Sequence, residues 1–259
     1  MAWDPTQYLK FADERLRPGF DLLARIGTLP DGPIFELGCG TGIHSRAIAE
    51  RWLDRAVAGI DSSKEMLAKA AASPSRVGWH AADIVRWTAP EKAALVFSNA
   101  TLQWLDDHQA LFPRLMAQLA PGGVLAVQMP RNHGAPSHAL MHEVASDGPW
   151  AARLMPLLRR SPVAPPEDYY DLLAPLAGGG MDIWETEYLH VLAAPEEAES
   201  PVLTWVRATA LRPLLAALGP QEQAEFTRRY EAALRRAYPR RGTGAVLLPF
   251  RRLFLVARG

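Results

Sequence analysis

The chain has 259 residues, 49% of them hydrophobic and 22% charged, with a formal net charge of zero. That length suits one large α/β domain, or a domain carrying a cap. The balanced charge supplies no global field toward nucleic acid or an anionic membrane. Cys39 is the one cysteine, so an internal disulfide is excluded and nothing implies an oxidising compartment. Asp4, Lys10, Asp13, Glu14 and Arg15 interrupt the start of the chain, which does not read as a signal peptide. No stretch is apolar for long enough to span a bilayer, and the expected location is the cytoplasm.

In chain order, residues 19–27 read as a short helix on Phe20, Leu22, Leu23 and Ile26, stopped by Pro30-Asp31-Gly32-Pro33. Strand one is predicted at 33–37, a helix at about 42–53, and strand two at Ala56–Ile60, ending at Asp61. Ser62 or Ser63 can cap the next helix, Lys64 to Ala72. Val77–His80 is strand three and Ala94–Ser98 strand four. A helix from Asp106 or Asp107 to Ala120 stops at Pro121-Gly122-Gly123, and Val124–Met129 is strand five. Strands alternating with helices at this spacing predict a doubly wound, mostly parallel sheet.

After Met129 the pattern changes. Residues 131–175 carry several prolines and helical patches, and are expected to form a helical insertion, or cap, within the one domain. A helix with Tyr169 and Tyr170 is ended by Gly178-Gly179-Gly180. Met181–Leu192 alternates as a strand, helices follow at about 199–217 and 220–237, and Leu253–Ala257 is a last strand. Arg228, Arg229, Arg235, Arg236, Arg240 and Arg241 form a basic stretch interleaved with Glu222, Glu225 and Glu231, which reads as a solvated helix face.

The chemistry-bearing motif is Glu36-Leu37-Gly38-Cys39-Gly40-Thr41-Gly42, at the end of strand one and the start of a helix. Glycines serve where backbone bends sharply or approaches a ligand closely. A dinucleotide fingerprint needs G-x-G-x-x-G, but its third position here falls on Ile43. Asp61 follows strand two by the spacing expected of a carboxylate that accepts from both hydroxyls of a ribose. Cys39 lies inside the turn, where a nucleophilic or metal role is disfavoured, and no metal is expected.

The E-x-G-x-G-x-G pattern resembles motif I of the class I S-adenosylmethionine-dependent methyltransferases. More of the chain is similar to one family among them, the trans-aconitate 2-methyltransferases. The likeness runs through Trp3-Asp4-Pro5, Tyr8, Gly59–Ser63, Ala82-Asp83-Ile84 and Asn99–Leu105. It continues through Val127–Pro130, Pro136-Ser137-His138, Tyr169-Tyr170, Leu211-Arg212-Pro213 and Arg252-Leu253-Phe254. The chain departs from the family pattern at Thr41, His44, Ala93-Ala94 and Arg131.

The resemblance implies a Rossmann-like, seven-stranded, mostly parallel sheet with a cap after strand five, and residues 1–18 as a lid. It implies S-adenosylmethionine as cofactor, held by Tyr8, Glu36, Gly38, Cys39, Gly40, Gly42, Asp61, Ser62, Met66, Asp83, Ile84 and Asn99. The implied reaction is methyl transfer to a carboxylate of trans-aconitate or a related small polycarboxylic acid, giving a monomethyl ester. Gln103, Trp104, His138, Tyr169, Tyr170, Arg212 and Arg252 are then expected to position the acceptor, with Arg131 as a further cation. A carboxylate is already ionised at neutral pH, so no general base is required. Two alternatives stay open. One is a methyltransferase of another carboxylate, such as a carrier-bound malonyl group docked on the arginine stretch. The other is a protein that binds the cofactor without catalysis. The sequence does not fix the oligomeric state, although a monomer is compatible with it.

Overall fold

The computed structural model describes residues 12–158, 163–195, 198–207 and 209–259. Helix α1 (Ala12–Ala24) leads into β1 (Ile34–Leu37), α2 (Ile43–Arg51), β2 (Val57–Asp61), α3 (Lys64–Ala71) and β3 (Gly78–Ala81). Then come β4 (Ala93–Asn99), a 3-10 turn at Leu102–Trp104, α4 (His108–Met116) and β5 (Leu119–Pro130). The rest comprises α5 (Pro136–Ser146), α6 (Ala151–Leu154), α7 (Pro166–Leu173), β6 (Met181–Ala193), α8 (Pro201–Arg207), α9 (Arg212–Ala216), α10 (Pro220–Ala237) and β7 (Ala245–Arg258).

The strands form one seven-stranded sheet in the order β3-β2-β1-β4-β5-β7-β6. β1 through β5 pair in parallel and β7 runs antiparallel to β5. This is the mostly parallel sheet expected from the alternation of elements, with the seven strands and Rossmann-like form that the resemblance implies. β4 is buried along Ala93–Ser98, as a strand covered on both faces must be. The chain order turns back between β1 and β4, so the carboxyl ends of these strands form the switch point where open α/β sheets take ligands.

The backbone divides into two compact units. One comprises Arg15–Pro130, Pro162–Thr186 and Arg252–Gly259. Its core joins Leu37, Ile60, Val96, Phe112, Leu125 and Leu255 with Tyr169 and Leu173 of α7. The other unit is built mainly from Arg131–Ser161 and Glu187–Arg251. There α5 is tied to α10: the Tyr230 hydroxyl donates to the Ser137 carbonyl at 2.7 Å, and the Ser137 amide donates to the Tyr238 hydroxyl at 3.0 Å. Trp150 packs edge-on against Phe226, 5.4 Å between centroids. Helix α10 starts at Pro220, and its Glu222 carboxylate reaches back to the Gly219 amide at 3.1 Å.

Several predicted boundaries move. The Pro121-Gly122-Gly123 stop lies inside β5, because Ala93 already pairs with Leu119 before a bulge shifts the register to Leu95 and Val124. The helix expected to reach Ala120 ends at Met116, with Pro113 inside it. The segment 199–217 forms α8 and α9 rather than one helix, Pro213 lying in the first turn of α9. The last strand begins at Ala245, eight residues early, because Val246, Leu248 and Phe250 alternate inward before the continuous apolar run.

Candidate functional site

Glycines 38, 40 and 42 all take positive φ, at 76°, 54° and 76°. The turn is anchored to β2: the Gly38 and Cys39 amides donate to the Ile60 carbonyl at 2.7 and 3.1 Å. A Cβ on Gly38 would lie 2.1 Å from Thr101 Oγ1, and one on Gly42 would lie 2.2 Å from the Trp79 ring. Those two glycines are therefore demanded by the protein's own packing. A Cβ on Gly40 would meet nothing within 4 Å among the described residues. Its face is open, at the N-terminus of α2, where unmet backbone amides favour electron-rich groups.

Asp61, at the end of β2, binds this turn directly. Its Oδ2 accepts from the Gly40 amide at 2.9 Å and its Oδ1 from the Ser63 amide at 2.8 Å. Ser63, not Asp61, is the side-chain cap of α3, accepting from the Met66 amide at 3.3 Å. A carboxylate has about four acceptor sites, so these two bonds leave room for donors from a ligand. Ser62 is exposed and Met66 half-buried. Arg46 clamps the turn from the other side, donating to the Thr41 carbonyl at 2.7 Å and the Ala70 carbonyl at 3.2 Å.

Glu36 is buried beneath the turn and accepts from the Ser45 hydroxyl. Burial pushes its carboxyl up to about 8; nearby Asp61 raises it further, while Ser45 and Arg46 oppose the rise. His44 Nδ1 lies 3.7 Å from Glu36, and its Nε2 is 3.1 Å from the Leu16 carbonyl. Burial pulls the His44 pKa down. The Cys39 thiol is buried, and desolvation with the Glu36 and Asp61 charges raises it, so it stays protonated. From the ordinary carboxylate value of about 4.3 up to about 8, the folded state keeps a proton on Glu36 that the unfolded chain releases. Stability therefore falls as pH rises through that window. His44 acts in the opposite sense, but only below its ordinary value of about 6.5. Glu36→Gln is expected to flatten the slope between about pH 6.5 and 8 in urea unfolding at a series of pH values. A slope that persists in the variant contradicts a buried proton at Glu36.

The ends of β4 and β5 carry a second polar group. The Ser98 hydroxyl donates to the Leu37 carbonyl at 2.9 Å and joins β4 to β1. Asn99 pairs in register with Gln128 of β5, so the two side chains leave the same face of the sheet. Ala100 has a φ of 52°, a left-handed conformation that costs about 1–2 kcal/mol in a residue with a Cβ. Its amide donates to the Gln128 carbonyl at 2.9 Å, and the Gln103 amide nitrogen donates to its carbonyl at 2.7 Å. Among the described residues, four buried atoms here have no hydrogen-bond partner: Asn99 Oδ1, Gln103 Oε1, and both Oε1 and Nε2 of Gln128. Each such orphan costs about 1–3 kcal/mol in a folded protein unless a ligand or water meets it.

Sequence reasoning missed Gln128 and Trp79 as parts of this region. Gln128 had a visible signal, a lone amide inside the apolar run Val124–Met129. Trp79 had none; only the fold brings it over Gly42 and Gly59, with the Arg46 guanidinium 5.8 Å from its ring.

The remaining expected residues are scattered. Asp83 is exposed and its Oδ1 accepts from the Val85 amide at 2.9 Å. Ile84 is buried in the core with Trp87 and Leu115 and offers little free surface. Tyr169, expected in an acceptor pocket, is instead a core residue. Its hydroxyl is 2.6 Å from His108 Nδ1 and its ring packs on Phe112, because α7 turns its apolar face inward. Tyr170, one position on, faces solvent at 57% exposure. Trp104 is exposed and Arg252 is buried, both in the sheet unit. His138, Arg131 and Arg212 belong to the other unit, each half-buried. Tyr8 lies outside the described residues. Among the described residues no group of three or more His, Cys, Asp or Glu could hold a metal, and no helix is long and apolar enough to cross a membrane.

The open glycine face, the carboxylate one strand away and the orphan amides on β4 and β5 line up along consecutive strand ends. They suit a ligand with a ribose, an amino acid tail and a reacting end, so the donor set fits S-adenosylmethionine. A family model described as a methyltransferase domain matches residues 34–123. Among solved structures, an S-adenosylmethionine-dependent methyltransferase from Mesorhizobium loti is similar in fold. Its TM-score is 0.51 at 21% identity, covering 92% of this chain and 96% of that one. The chain is an S-adenosylmethionine-dependent methyltransferase of the Rossmann-like class. Curated relatives narrow this. A trans-aconitate 2-methyltransferase of Azoarcus sp. is 46% identical over 99% of this chain and 98% of its own length. One of Streptomyces avermitilis is 47% identical over 99% and 96%. The chain belongs to the trans-aconitate 2-methyltransferase family.

Proposed function

We propose that the protein transfers a methyl group from S-adenosylmethionine to a carboxylate of trans-aconitate, or of a closely similar small polycarboxylic acid, giving a monomethyl ester. The observation that carries this reading is the near end-to-end identity of 46–47% to relatives of that name. The geometry supports it. The cofactor, when bound, supplies an electrophilic methyl on a sulfonium; a carboxylate oxygen of the acceptor forms the new O–C bond as the C–S bond breaks.

The protein's share of the work is placement. Gly40 offers an open backbone surface and Asp61 spare acceptor sites, suited to the tail and ribose of the cofactor. Asn99 at the end of β4 and Gln103 in the turn that follows are the residues we assign to the region of the reacting groups. The acceptor arrives as an anion, so no side chain must remove a proton, and rate is gained by in-line alignment and exclusion of water. Arg252, a guanidinium buried inside β7, is our candidate for a cationic contact to a spectator carboxylate.

Docking of a carrier protein on the arginine stretch finds less support. Arg228 is bonded to Glu225 at 2.7 Å, Arg229 to Asp147 at 2.5 Å, and Arg235 to Glu231 at 2.7 Å. These pairs dissipate the field that an acidic partner would need. The reading is tested by a screen of small di- and tricarboxylates that follows release of S-adenosylhomocysteine. Turnover is expected to be fastest with trans-aconitate and absent with monocarboxylates. Turnover on a carrier-bound acid alone contradicts it.

A further inference from the structure

Gln128 is an anomaly of the sheet unit. It is wholly buried, yet neither end of its amide meets a partner among the described residues. It stands in register with Asn99 on one side and Phe254 on the other. Phe254 is itself closed over by Trp184, stacked at 4.9 Å between ring centroids. The Ala100 backbone links Gln128 to Gln103, whose own oxygen is also unmet. An amide held this way in an apolar wall is retained at a cost to the fold, which is offset when a ligand supplies the missing partner.

The strand order says which part of a ligand that is. The glycine turn and Asp61 lie on β1 and β2, and Gln128 lies on β5, across β4 from them. Neighbouring strands are about 4.8 Å apart, so β5 is about 10 Å from β1. A group reaching Gln128 is therefore the acceptor rather than the cofactor tail. We propose that Gln128 is an acceptor-binding residue whose amide N–H donates to the carboxylate that receives the methyl group; this rests on the carboxyl-methylation reading above.

A neutral amide suits that carboxylate better than a cation. A guanidinium would hold the oxygen lone pairs that must attack and would oppose the approaching sulfonium charge. The amide orients the carboxylate and leaves it nucleophilic. Its Oε1 repels an anion, so the amide accepts a carboxylate on the Nε2 side only.

The test compares wild type with Gln128→Leu, close in volume and apolar. Gln128→Leu is expected to lower kcat/KM for the acid by about 10–100-fold, the range for losing a buried hydrogen bond to a charged group. The dissociation constant for S-adenosylhomocysteine should stay within about twofold, and Tm should not fall, since an unmatched polar group has been removed. An unchanged kcat/KM overturns the proposal, as does an equal loss of S-adenosylhomocysteine affinity. A second measurement needs no turnover: the rise in Tm on adding trans-aconitate to the S-adenosylhomocysteine complex. A rise in wild type that is lost in the variant supports the proposal; an equal rise in both, or none in wild type, overturns it. Failure of the carboxyl-methylation reading is distinguished by wild type alone forming no ester with any acid.

Discussion

Asp61→Ala is expected to weaken binding of S-adenosylmethionine by about 10–100-fold, the equivalent of roughly 1–3 kcal/mol for buried hydrogen bonds to a charged group. The side chain stands at a junction. Its two oxygens already accept from Gly40 and Ser63, which fixes the open face of the glycine turn and the start of α3. The proposed ribose contact would use the acceptor capacity that these two bonds leave. Alanine removes both contributions at once. Asparagine separates them in part, because one oxygen can still accept from an amide while its NH2 cannot. Asp61→Asn is therefore expected to keep the fold and still lose cofactor affinity. Titration calorimetry on the folded variants reads this, and unchanged affinity in both would refute a ribose-binding role for Asp61.

The second large effect contrasts two glycines of one turn. Gly40→Ala places a methyl group where none of the described residues lies within 4 Å. The fold should then lose only the strain of positive φ, about 1–2 kcal/mol. Cofactor binding should fall at least about tenfold, because the methyl occupies the surface on which a ligand must rest. Gly42→Ala drives its methyl to 2.2 Å from the Trp79 ring. That variant is expected to be destabilised by about 2–4 kcal/mol, from overpacking together with the backbone strain. Urea unfolding and cofactor titration on both variants separate the roles. Equal loss of stability in the two, with cofactor binding intact in Gly40→Ala, contradicts an open cradle at Gly40.

The parts of the site written in local sequence were legible. Glycines at alternate positions, an acid two residues ahead and an acid after the next strand describe one strand-turn-helix and its neighbour, and the fold builds them that way. Capping was legible too, since Ser63 rather than Asp61 takes α3. What escaped was set by tertiary neighbours. Tyr169 and Tyr170 are adjacent and chemically alike, yet one is in the core against His108 and Phe112 and the other is in solvent. Only the packing of α7 decides between them. Gln128 looked like one polar residue in an apolar strand until its register with Asn99 placed it beside the end of β4. Arg251 and Arg252 masked the length of β7, because a buried arginine inside a strand breaks the expected alternation. Trp79 could be assigned to a strand from sequence but not to its place over the glycine turn.

The most direct measurement is mass spectrometry of trans-aconitate incubated with the purified protein and methyl-labelled S-adenosylmethionine. One labelled methyl per acid, as an ester, with equimolar S-adenosylhomocysteine, is the expected result. Absence of any labelled ester at high protein concentration, with the cofactor bound, would contradict carboxyl methylation of this acid.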